Sequence, residues 1–328
     1  MNSEIIAVSS YTPPNRVTND DLAKKIDTSD EWIVSHTGIK ARHIADKTIA
    51  TSDLAYEAAK SALEKAKLSA KDLDLIIVAT TSQDYTGFPS VSVIIQGRLG
   101  ADYAGAFDLA AACTGFVYGL ATAKGYIESG MARNVLVVGA DVLSRFTNWE
   151  DRNTCVLFGD GAGAVILQAS DSIDSGDILY SKLRADGSGC DCLQIPNGGS
   201  RNPFDKEKLD DYYPYIVMDG RKVYNFAVRV NGEIIEHILE KNNLSIDDIS
   251  YIVPHQANIR IIQAAAKRLG IPLEKFYINI DEYANTSAAT IPIALNEMND
   301  KSLLKKGDLL ITVGFGGGLT YGGNLIKW

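Results

Sequence analysis

Helical and strand-like patterns of apolar residues alternate along this chain. Residues 115–130 carry apolar side chains at helical spacing, whereas the AGAF segment at 104–107 is short and apolar like the end of a strand. The apolar runs at 158–167 and 320–328 predict further strands. Alternating strands and helices favour right-handed crossovers, mostly parallel sheets, and ligands bound at the carboxyl ends of strands. The pattern therefore predicts an α/β fold.

Three segments of this pattern occur twice at nearly the same offset. The pairs are 63–80 with 239–256, 134–141 with 308–318, and the segment around Cys113 with 277–298. The first pair predicts a helix, a turn and a buried strand, the second a strand leading into a glycine, and the third a strand, a turn and a helix. Any α/β protein reuses helix and strand units, but a shared offset across three segments favours a repeat. We therefore predict two similar α/β halves, 1–172 and 173–328.

Composition and charge narrow the class of protein. With 328 residues and 46% hydrophobic content the chain can bury a large core. Its N-terminus lacks a basic region followed by a long apolar stretch, and no apolar run approaches the roughly 20 residues that span a bilayer, so a soluble cytoplasmic protein is expected. The net charge of −9 disfavours nucleic acid or an anionic membrane as the main partner. The four cysteines predict reduced thiols, because they form neither a disulfide framework nor a zinc-binding or redox spacing.

Cys113 is the leading candidate for chemistry. It lies between a predicted strand and the helix that starts near Gly115, among small residues that leave room for a substrate. The amides and positive dipole end of a helix favour thiolate over thiol, which predicts a nucleophile. The alternative is a cysteine buried among alanines as part of the core.

His255 and Asn285 are the candidate partners of this cysteine. Each follows a predicted strand of the second half, so the repeat predicts that both side chains meet Cys113 in one pocket. A structural histidine and a helix-capping asparagine are the alternatives when each is taken alone. Together, an imidazole, an amide and the glycine-rich backbone at 314–323 offer hydrogen-bond donors for an oxyanion beside a thiolate. The glycines at 314–323 and 158–167 lack the phosphate-loop and dinucleotide patterns.

Seven motifs in this order resemble the thiolase-fold condensing enzymes, most closely the β-ketoacyl-acyl carrier protein synthase III family. They are DTSDEWIVSHTGI at 27–39, AACTGF at 111–116, TNWEDRNT at 147–154, FGDGAGA at 158–164, PHQANIRI at 254–261, NTSAA at 285–289 and GFGGG at 314–318. The resemblance implies a thiolase-like fold in which two pseudo-symmetric α/β halves form a layered αβαβα sandwich. In elongating relatives a second histidine replaces Asn285, thiolases carry another cysteine near the C-terminal glycines, and chalcone-synthase-like enzymes typically have proline in that glycine motif.

The resemblance also implies the reaction and its residues. Cys113, His255 and Asn285 form the catalytic set, and the backbone amides of Cys113 and Gly317 form the oxyanion hole. The implied activity is a decarboxylating condensation of a primer acyl-CoA with malonyl-acyl carrier protein through an acyl-cysteine, which starts fatty acid biosynthesis. Decarboxylation drives the carbon–carbon bond, so no metal, nicotinamide or flavin is expected. A homodimer is implied as well.

Substrate and partner contacts follow from the same resemblance. Acyl-CoA contacts are expected from Thr28, Trp32, Phe88, Arg152, Asn258 and Phe315, with Phe88 reaching the acyl pocket of a partner subunit. Thr28 is also expected to cap the helix of the DEWI motif, with Glu31 completing a capping box. Contacts with the acidic carrier protein are expected from Gln256, Arg260, Lys267 and Arg268, the last three at helical spacing.

Four features depart from known relatives. His36 stands where relatives often have arginine, Asn225 where some have a lysine that receives the carrier protein, and Ala284 where glycine is common. The polar stretch at 195–215 predicts a surface loop larger than in some relatives. The competing hypotheses are a related transferase or secondary-metabolite condensing enzyme with another acceptor, and an inactive scaffold of the same fold.

Overall fold

The computed structural model describes residues 2–171 and 176–328. Its strands are β1 (Asn2–Tyr11), β2 (Arg16–Thr18), β3 (Ala41–His43), β4 (Leu75–Ala79), β5 (Gly105–Leu109), β6 (Asn134–Val142), β7 (Asp160–Ser170), β8 (Asp177–Ala185), β9 (Leu193–Gln194), β10 (Val217–Met218), β11 (Tyr251–Pro254), β12 (Leu309–Gly316) and β13 (Thr320–Lys327). Its α-helices are α1 (Asn19–Ala23), α2 (Asp30–Thr37), α3 (Thr51–Ala66), α4 (Val91–Leu99), α5 (Gly115–Glu128), α6 (Arg152–Cys155), α7 (Gly220–Asn242), α8 (Ile259–Leu269), α9 (Ile280–Tyr283) and α10 (Thr290–Asp300).

Two large sheets and three helical layers form the molecule. The first sheet has the order β1-β7-β6-β4-β5 and the second β11-β12-β13-β8. Helices α5 and α10 lie between the sheets, where Leu120 and Leu295 are fully buried in one apolar cluster. Val137 of the first sheet and Leu310 of the second belong to the same cluster. Helices α3 and α4 pack on the outer face of the first sheet, and α7 and α8 on that of the second, which completes the expected αβαβα sandwich.

The sheets are mixed, so the prediction of mostly parallel sheets is wrong. Strand β4 runs parallel to β5 and β6, and β11 parallel to β12. Strand β7 is antiparallel to β1 and β6, and β13 is antiparallel to β8 and β12. The link between β12 and β13 is only residues 317–319, and a connection this short cannot make the crossover that parallel strands need.

The duplicated segments take equivalent places in the two halves. Helix α3 leads through a 3-10 turn to β4, and α7 leads through another to β11. The third pair differs, because residues 277–279 form no strand and only Phe276 makes an isolated bridge to Ile252 at the edge of the second sheet. The predicted boundary between 172 and 173 lies outside the described residues. In the part of the chain that the structure describes, no helix combines the length and apolarity needed to cross a membrane.

Candidate active site

Cys113 lies in a tight turn between the carboxyl end of β5 and the start of α5. A 3-10 turn, Ala112–Thr114, joins these elements, and Ala112 adopts a left-handed conformation with φ of 47°. The turn is held from the second half, where the Thr320 hydroxyl donates to the Ala111 carbonyl at 2.9 Å. A β-carbon on Gly316 would lie 2.6 Å from the Cys113 nitrogen, so only glycine allows this approach. The nucleophile candidate is therefore positioned by both halves.

His255 directly follows β11 and is almost fully buried. Its backbone N–H donates to the Val313 carbonyl at 2.8 Å, and its ring meets the edge of Phe315 with the centroids 5.3 Å apart. Its Nδ1 lies 2.7 Å from the Thr290 hydroxyl, which can donate to the Ser287 carbonyl at 3.1 Å. When the hydroxyl hydrogen points to Ser287, Nδ1 carries the ring hydrogen and Nε2 accepts; when it points to Nδ1, Nε2 is the donor.

Asn285 is anchored by backbone bonds to the segment before β7. Its N–H donates to the Leu157 carbonyl at 3.0 Å, and its carbonyl accepts from the Gly159 N–H at 3.0 Å. The side-chain Oδ1 accepts from the Ser287 N–H at 2.8 Å, which leaves the amide NH₂ as the group available for a ligand. Ala284, just before it, has φ of 57° and ψ of −157°, a region that glycine occupies more easily.

One cavity of about 520 Å³ brings the three candidates together. Its lining is mostly apolar, as is usual for small-molecule sites. The lining residues are Trp32, His36, Thr37, Thr81, Ala112, Cys113, Leu143, Asn153, Val156, Leu157, Phe158, Leu193, Gln194, Ile195, Ile216, Met218, Gly220, Val223, Tyr224, His255, Ala257, Asn258, Ile261, Asn285, Ser287, Phe315, Gly316 and Gly317. The cavity lies at the carboxyl ends of β5 and β11, as the repeat predicted.

Burial sets the protonation states of the two titratable groups. Desolvation raises the pKa of the Cys113 thiol to about 12; the Ser287 hydroxyl and the cysteine's own N–H offset part of the rise, and the Asp141 carboxylate adds to it. Burial therefore favours the thiol over the thiolate that the helix end was expected to favour. Burial also lowers the pKa of His255 to about 3. At neutral pH burial therefore favours the thiol of Cys113 and the neutral imidazole of His255, whose Nε2 is free to accept a hydrogen bond.

Comparison with known proteins decides the family. Residues 107–187 match the model of 3-oxoacyl-[acyl-carrier-protein] synthase III, and residues 239–328 match the model of its C-terminal part. A β-ketoacyl-[acyl-carrier-protein] synthase III of Caldanaerobacter subterraneus subsp. tengcongensis is 52% identical over 99% of this chain and 97% of its own length. The chain belongs to the β-ketoacyl-[acyl-carrier-protein] synthase III family. It is an acyltransferase of the condensing type that acts at the initiating condensation of fatty acid biosynthesis.

Solved structures of synthase III proteins share the fold. The 3-oxoacyl-[acyl-carrier-protein] synthase III of Aquifex aeolicus VF5 has a TM-score of 0.91 and 45% identity, covering 99% of this chain and 100% of its own. The priming β-ketosynthase of the R1128 polyketide biosynthetic pathway has a TM-score of 0.91 and 35% identity, covering 99% and 96%. The thiolase fold predicted from the motifs is thereby confirmed.

Trp32, which lines the synthase III cavity, stacks with two neighbouring side chains. The Arg152 guanidinium lies 3.8 Å from the centre of the Trp32 ring, and His36 stacks on Trp32 at 4.4 Å between centroids. Asn258 caps α8, and its amide donates to the His36 carbonyl at 3.1 Å, so it ties α8 to α2. Trp32, Asn258 and Phe315 line the cavity and Arg152 does not, and the acyl-CoA contacts of all four stay a prediction.

Two other predicted acyl-CoA contacts, Thr28 and Phe88, do not line the cavity. Helix α2 is capped by Ser29, whose hydroxyl accepts from the Trp32 N–H at 3.1 Å, so the capping box predicted for Thr28 and Glu31 is wrong. Position N3 of this helix is Trp32, which has no carboxylate to complete the box. The Thr28 hydroxyl is buried without a hydrogen-bond partner. Phe88 is 87% exposed and lies outside the cavity of its own chain.

One predicted carrier-protein contact is contradicted by burial. Gln256 is 1% exposed, its amide donates to the Pro254 and Tyr277 carbonyls, and its Oε1 accepts from the Asn279 N–H. It is therefore a structural residue beneath the site and cannot reach a protein partner. The three basic residues predicted with it are exposed on α8: Arg260, Lys267 and Arg268.

The Arg260 guanidinium is hydrogen-bonded within the chain. Its Nε and Nη2 donate to the Ser35 carbonyl at 3.0 and 2.7 Å, near the carboxyl end of α2. Arg268 lies along Gly232 of α7. Asn225 is exposed on α7. Strands β9 and β10 pair at the base of the 195–215 loop, and the adjoining residues Ile195 and Ile216 line the cavity wall.

Sequence reasoning missed the residues that support the catalytic candidates. Ser287 lies inside the NTSAA motif at 285–289 and Thr290 directly follows it, two and five positions after Asn285. Their hydrogen bonds to Asn285 and His255 depend on a left-handed turn at Ser287, where φ is 54°. No local pattern of apolar residues signals such a turn at a serine.

Proposed function

We propose that Cys113 carries the primer acyl group and that His255 and Asn285 make the malonyl-derived carbanion that removes it. Cys113 attacks the acyl-CoA thioester, its sulfur bonds to the acyl carbon, and CoA leaves with the thiol proton that passes through His255 Nε2. Malonyl-acyl carrier protein then loses carbon dioxide, and the electron pair forms an enolate. The carbanion bonds to the acyl carbon, the thioester to Cys113 breaks, and the expelled thiolate takes up a proton from solvent.

The observation that carries this proposal is the meeting of three complementary groups in one cavity. Cys113 stands against the Gly316 backbone, which supports the proposed oxyanion hole of the Cys113 and Gly317 amides. Asn285 presents its NH₂ because Ser287 occupies its oxygen. His255 is neutral and accepts at Nε2 for the thiol. Exchange with solvent then moves the ring hydrogen from Nδ1 to Nε2, the Thr290 hydroxyl donates to the bare Nδ1, and Nε2 donates to the enolate oxygen.

The proposed substrates and partners follow the family. The Trp32 and Arg152 pair suits a purine and a phosphate, which supports acyl-CoA as the primer donor. We assign the carrier protein to the exposed basic face of α8 that carries Arg260, Lys267 and Arg268. We also propose a cytoplasmic homodimer that works without a metal or redox cofactor, since decarboxylation drives bond formation. The exposed Phe88 fits a contact with the second subunit.

Mass spectrometry of the intact enzyme tests this function. Incubation with a panel of acyl-CoAs should add one acyl mass to Cys113, and malonyl-acyl carrier protein should then remove it as a β-ketoacyl product. His255→Ala should still be acylated but at a reduced rate, and it should fail to decarboxylate malonyl carrier protein. No mass gain on Cys113 contradicts the proposal.

A second acceptor is the competing function. The 35% identity to a priming β-ketosynthase of a polyketide pathway favours including such acceptors in the same experiment. Discharge of the acyl group only by an acceptor other than malonyl-acyl carrier protein supports that alternative. Cys113→Ala, which removes the nucleophile, is the control for non-specific acylation.

A further inference from the structure

Asp141 is a fully buried carboxylate near the carboxyl end of β6. Its Oδ1 accepts from the Thr80 hydroxyl at 3.1 Å, the Thr81 N–H at 2.8 Å, the Thr81 hydroxyl at 3.1 Å and the Ser82 hydroxyl at 2.7 Å, all in the loop after β4. Its Oδ2 accepts from the Ala288 N–H of the second half at 3.3 Å. This carboxylate therefore joins the two halves beside the cavity, which Thr81 lines.

The peptide between Ser287 and Ala288 links this carboxylate to the candidate histidine. The N–H of the peptide donates to Asp141, and its carbonyl, that of Ser287, accepts from the Thr290 hydroxyl at 3.1 Å. The same hydroxyl lies 2.7 Å from His255 Nδ1. Asp141, Thr290 and His255 are each at most 3% exposed, so water has little access to these hydrogen bonds. A continuous chain thus runs from carboxylate to peptide, hydroxyl and imidazole.

Close packing holds this peptide against β6. A β-carbon on Gly139 would lie 2.2 Å from the Ala288 carbonyl oxygen and 2.8 Å from the carbonyl carbon, so only glycine allows the approach. Gly139 and Asp141, two positions apart on β6, therefore fix both backbone polar groups of Ala288. The peptide has little freedom to turn away from the carboxylate.

The direction of these hydrogen bonds decides which ring nitrogen of His255 carries the hydrogen. A peptide whose N–H donates to a carboxylate is polarised, and its carbonyl becomes a stronger acceptor. The Ser287 carbonyl should therefore hold the hydrogen of the Thr290 hydroxyl, whose oxygen then accepts from Nδ1–H. Nε2 is left without a hydrogen, which is the form that can accept a proton from a thiol.

We propose that Asp141 is a positioning residue that favours the His255 tautomer with its hydrogen on Nδ1. It acts through the peptide that it anchors and through the Thr290 hydroxyl. This inference deepens the proposed function and rests on it for the role of His255 as the acceptor of the Cys113 proton. The tautomer itself does not depend on any acyl substrate.

Asp141→Asn is the sharpest variant, because each carboxylate oxygen faces a backbone N–H that can only donate, Thr81 at Oδ1 and Ala288 at Oδ2. An amide has one acceptor oxygen, which the four donors at Oδ1 favour, so its NH₂ faces the Ala288 N–H and the link breaks. Asp160→Asn is the matched control. Asp160 is also fully buried, its Oδ1 accepts from the Ser144 N–H at 2.9 Å, and its Oδ2 accepts from the Ala45 N–H at 2.7 Å.

Nitrogen-15 NMR of the intact enzyme, labelled in its four histidines, measures the tautomer, because a ring nitrogen shifts when it gains a hydrogen. His255→Gln identifies the signals of His255 by their loss. We expect hydrogen on Nδ1 in the parent at neutral pH, and a population ratio moved toward Nε2–H by about threefold to tenfold in Asp141→Asn. Thr290→Val should move the ratio as well, whereas Thr290→Ser, which keeps the hydroxyl, and Asp160→Asn should keep the parent ratio.

A double variant separates this chain of hydrogen bonds from a general loss of packing. In the Thr290→Val background, Asp141→Asn should not change the ratio further, because the hydroxyl that connects them is missing. Equal shifts in both backgrounds, an equal shift in Asp160→Asn, or the parent ratio in either Asp141→Asn or Thr290→Val refutes the proposal. Asp141→Ser, which leaves space for water around the three hydroxyls, replaces Asp141→Asn if that variant does not fold.

The rate of acyl-enzyme formation connects the tautomer to the reaction. In Asp141→Asn this rate should fall by the same factor as the Nδ1–H population, and an unchanged rate refutes the role of the tautomer. A shifted tautomer in an enzyme that never forms an acyl-cysteine supports the action of Asp141 on His255 while refuting the proposed function.

Discussion

Replacing His255 with glutamine should remove a large part of the acid sensitivity of the fold. Burial lowers the pKa of His255 from 6.5 to about 3, so the folded chain keeps a neutral ring while the unfolded chain binds a proton below pH 6.5. The stability contributed by the neutral ring is present above pH 6.5 and is lost as the pH falls from there toward 3. Glutamine has a similar reach and does not titrate, so the variant lacks this loss.

The size of the effect follows from linkage. For each pH unit below the unfolded pKa and above the folded pKa, the free energy of unfolding falls by about 1.4 kcal/mol. Moving from neutral pH to about pH 5 therefore lowers the free energy of unfolding of the parent by about 2 kcal/mol, and the variant does not lose this amount. With an unfolding entropy of about 2.1 cal/mol/K per residue, 328 residues convert this into about 3 °C of melting temperature.

Thermal melts of both proteins at pH 7 and pH 5 measure the difference. The variant loses the contact with Phe315 at both pH values, so its lower stability at neutral pH is expected and only the change with pH matters. The other three histidines, His36, His43 and His237, are present in both proteins, so their contributions to the pH dependence of stability cancel in the comparison. Parallel melting curves, with the same fall between the two pH values, would show that His255 titrates normally and would refute the burial argument.

Two glycine substitutions test the packing around the site. Gly316→Ala places a β-carbon 2.6 Å from the Cys113 nitrogen, so acyl-enzyme formation, measured by mass, should slow by about a hundredfold. The control is Gly125→Ala in α5, whose β-carbon would contact nothing and which should be acylated at the parent rate. Unchanged acylation of Gly316→Ala would contradict the close approach. Gly38→Ala combines φ of 82° with a contact of 2.7 Å to Ile259, and should lower stability by about 2–4 kcal/mol in denaturant unfolding. Gly100→Ala shares a positive φ, of 69°, without any contact, so equal losses in the two variants would mean that the clash with Ile259 is absent.

Local features of the chain were predictable from the sequence. The strand before His255 ends at Pro254 and the helix after it begins at Ile259, because an apolar run and a capping Asn258 mark both ends. Cys113 lies in the expected turn between β5 and α5. Such features depend on short stretches of sequence, in which the pattern of apolar and capping residues determines where an element begins and ends.

Properties that depend on tertiary surroundings were not predictable in this way. The antiparallel direction of β7 and β13 depends on which strands are their neighbours in each sheet. The burial of Gln256 depends on residues that are distant in the sequence and pack against it in the fold. The raised pKa of Cys113 depends on its burial among side chains from distant parts of the chain. The left-handed serine at 287 is held by Asp141, which is 146 positions away in the chain.

The turns at Ala112–Thr114 and Ser287–Ala289 occupy the same place in the two halves. Each precedes a helix of the middle layer, and each begins with a residue of positive φ, 47° at Ala112 and 54° at Ser287. The first turn bears the thiol of Cys113 and the second the hydroxyl of Ser287, so the two turns supply different polar groups to one site. Neither half, separated from the other, retains a complete set of reacting groups.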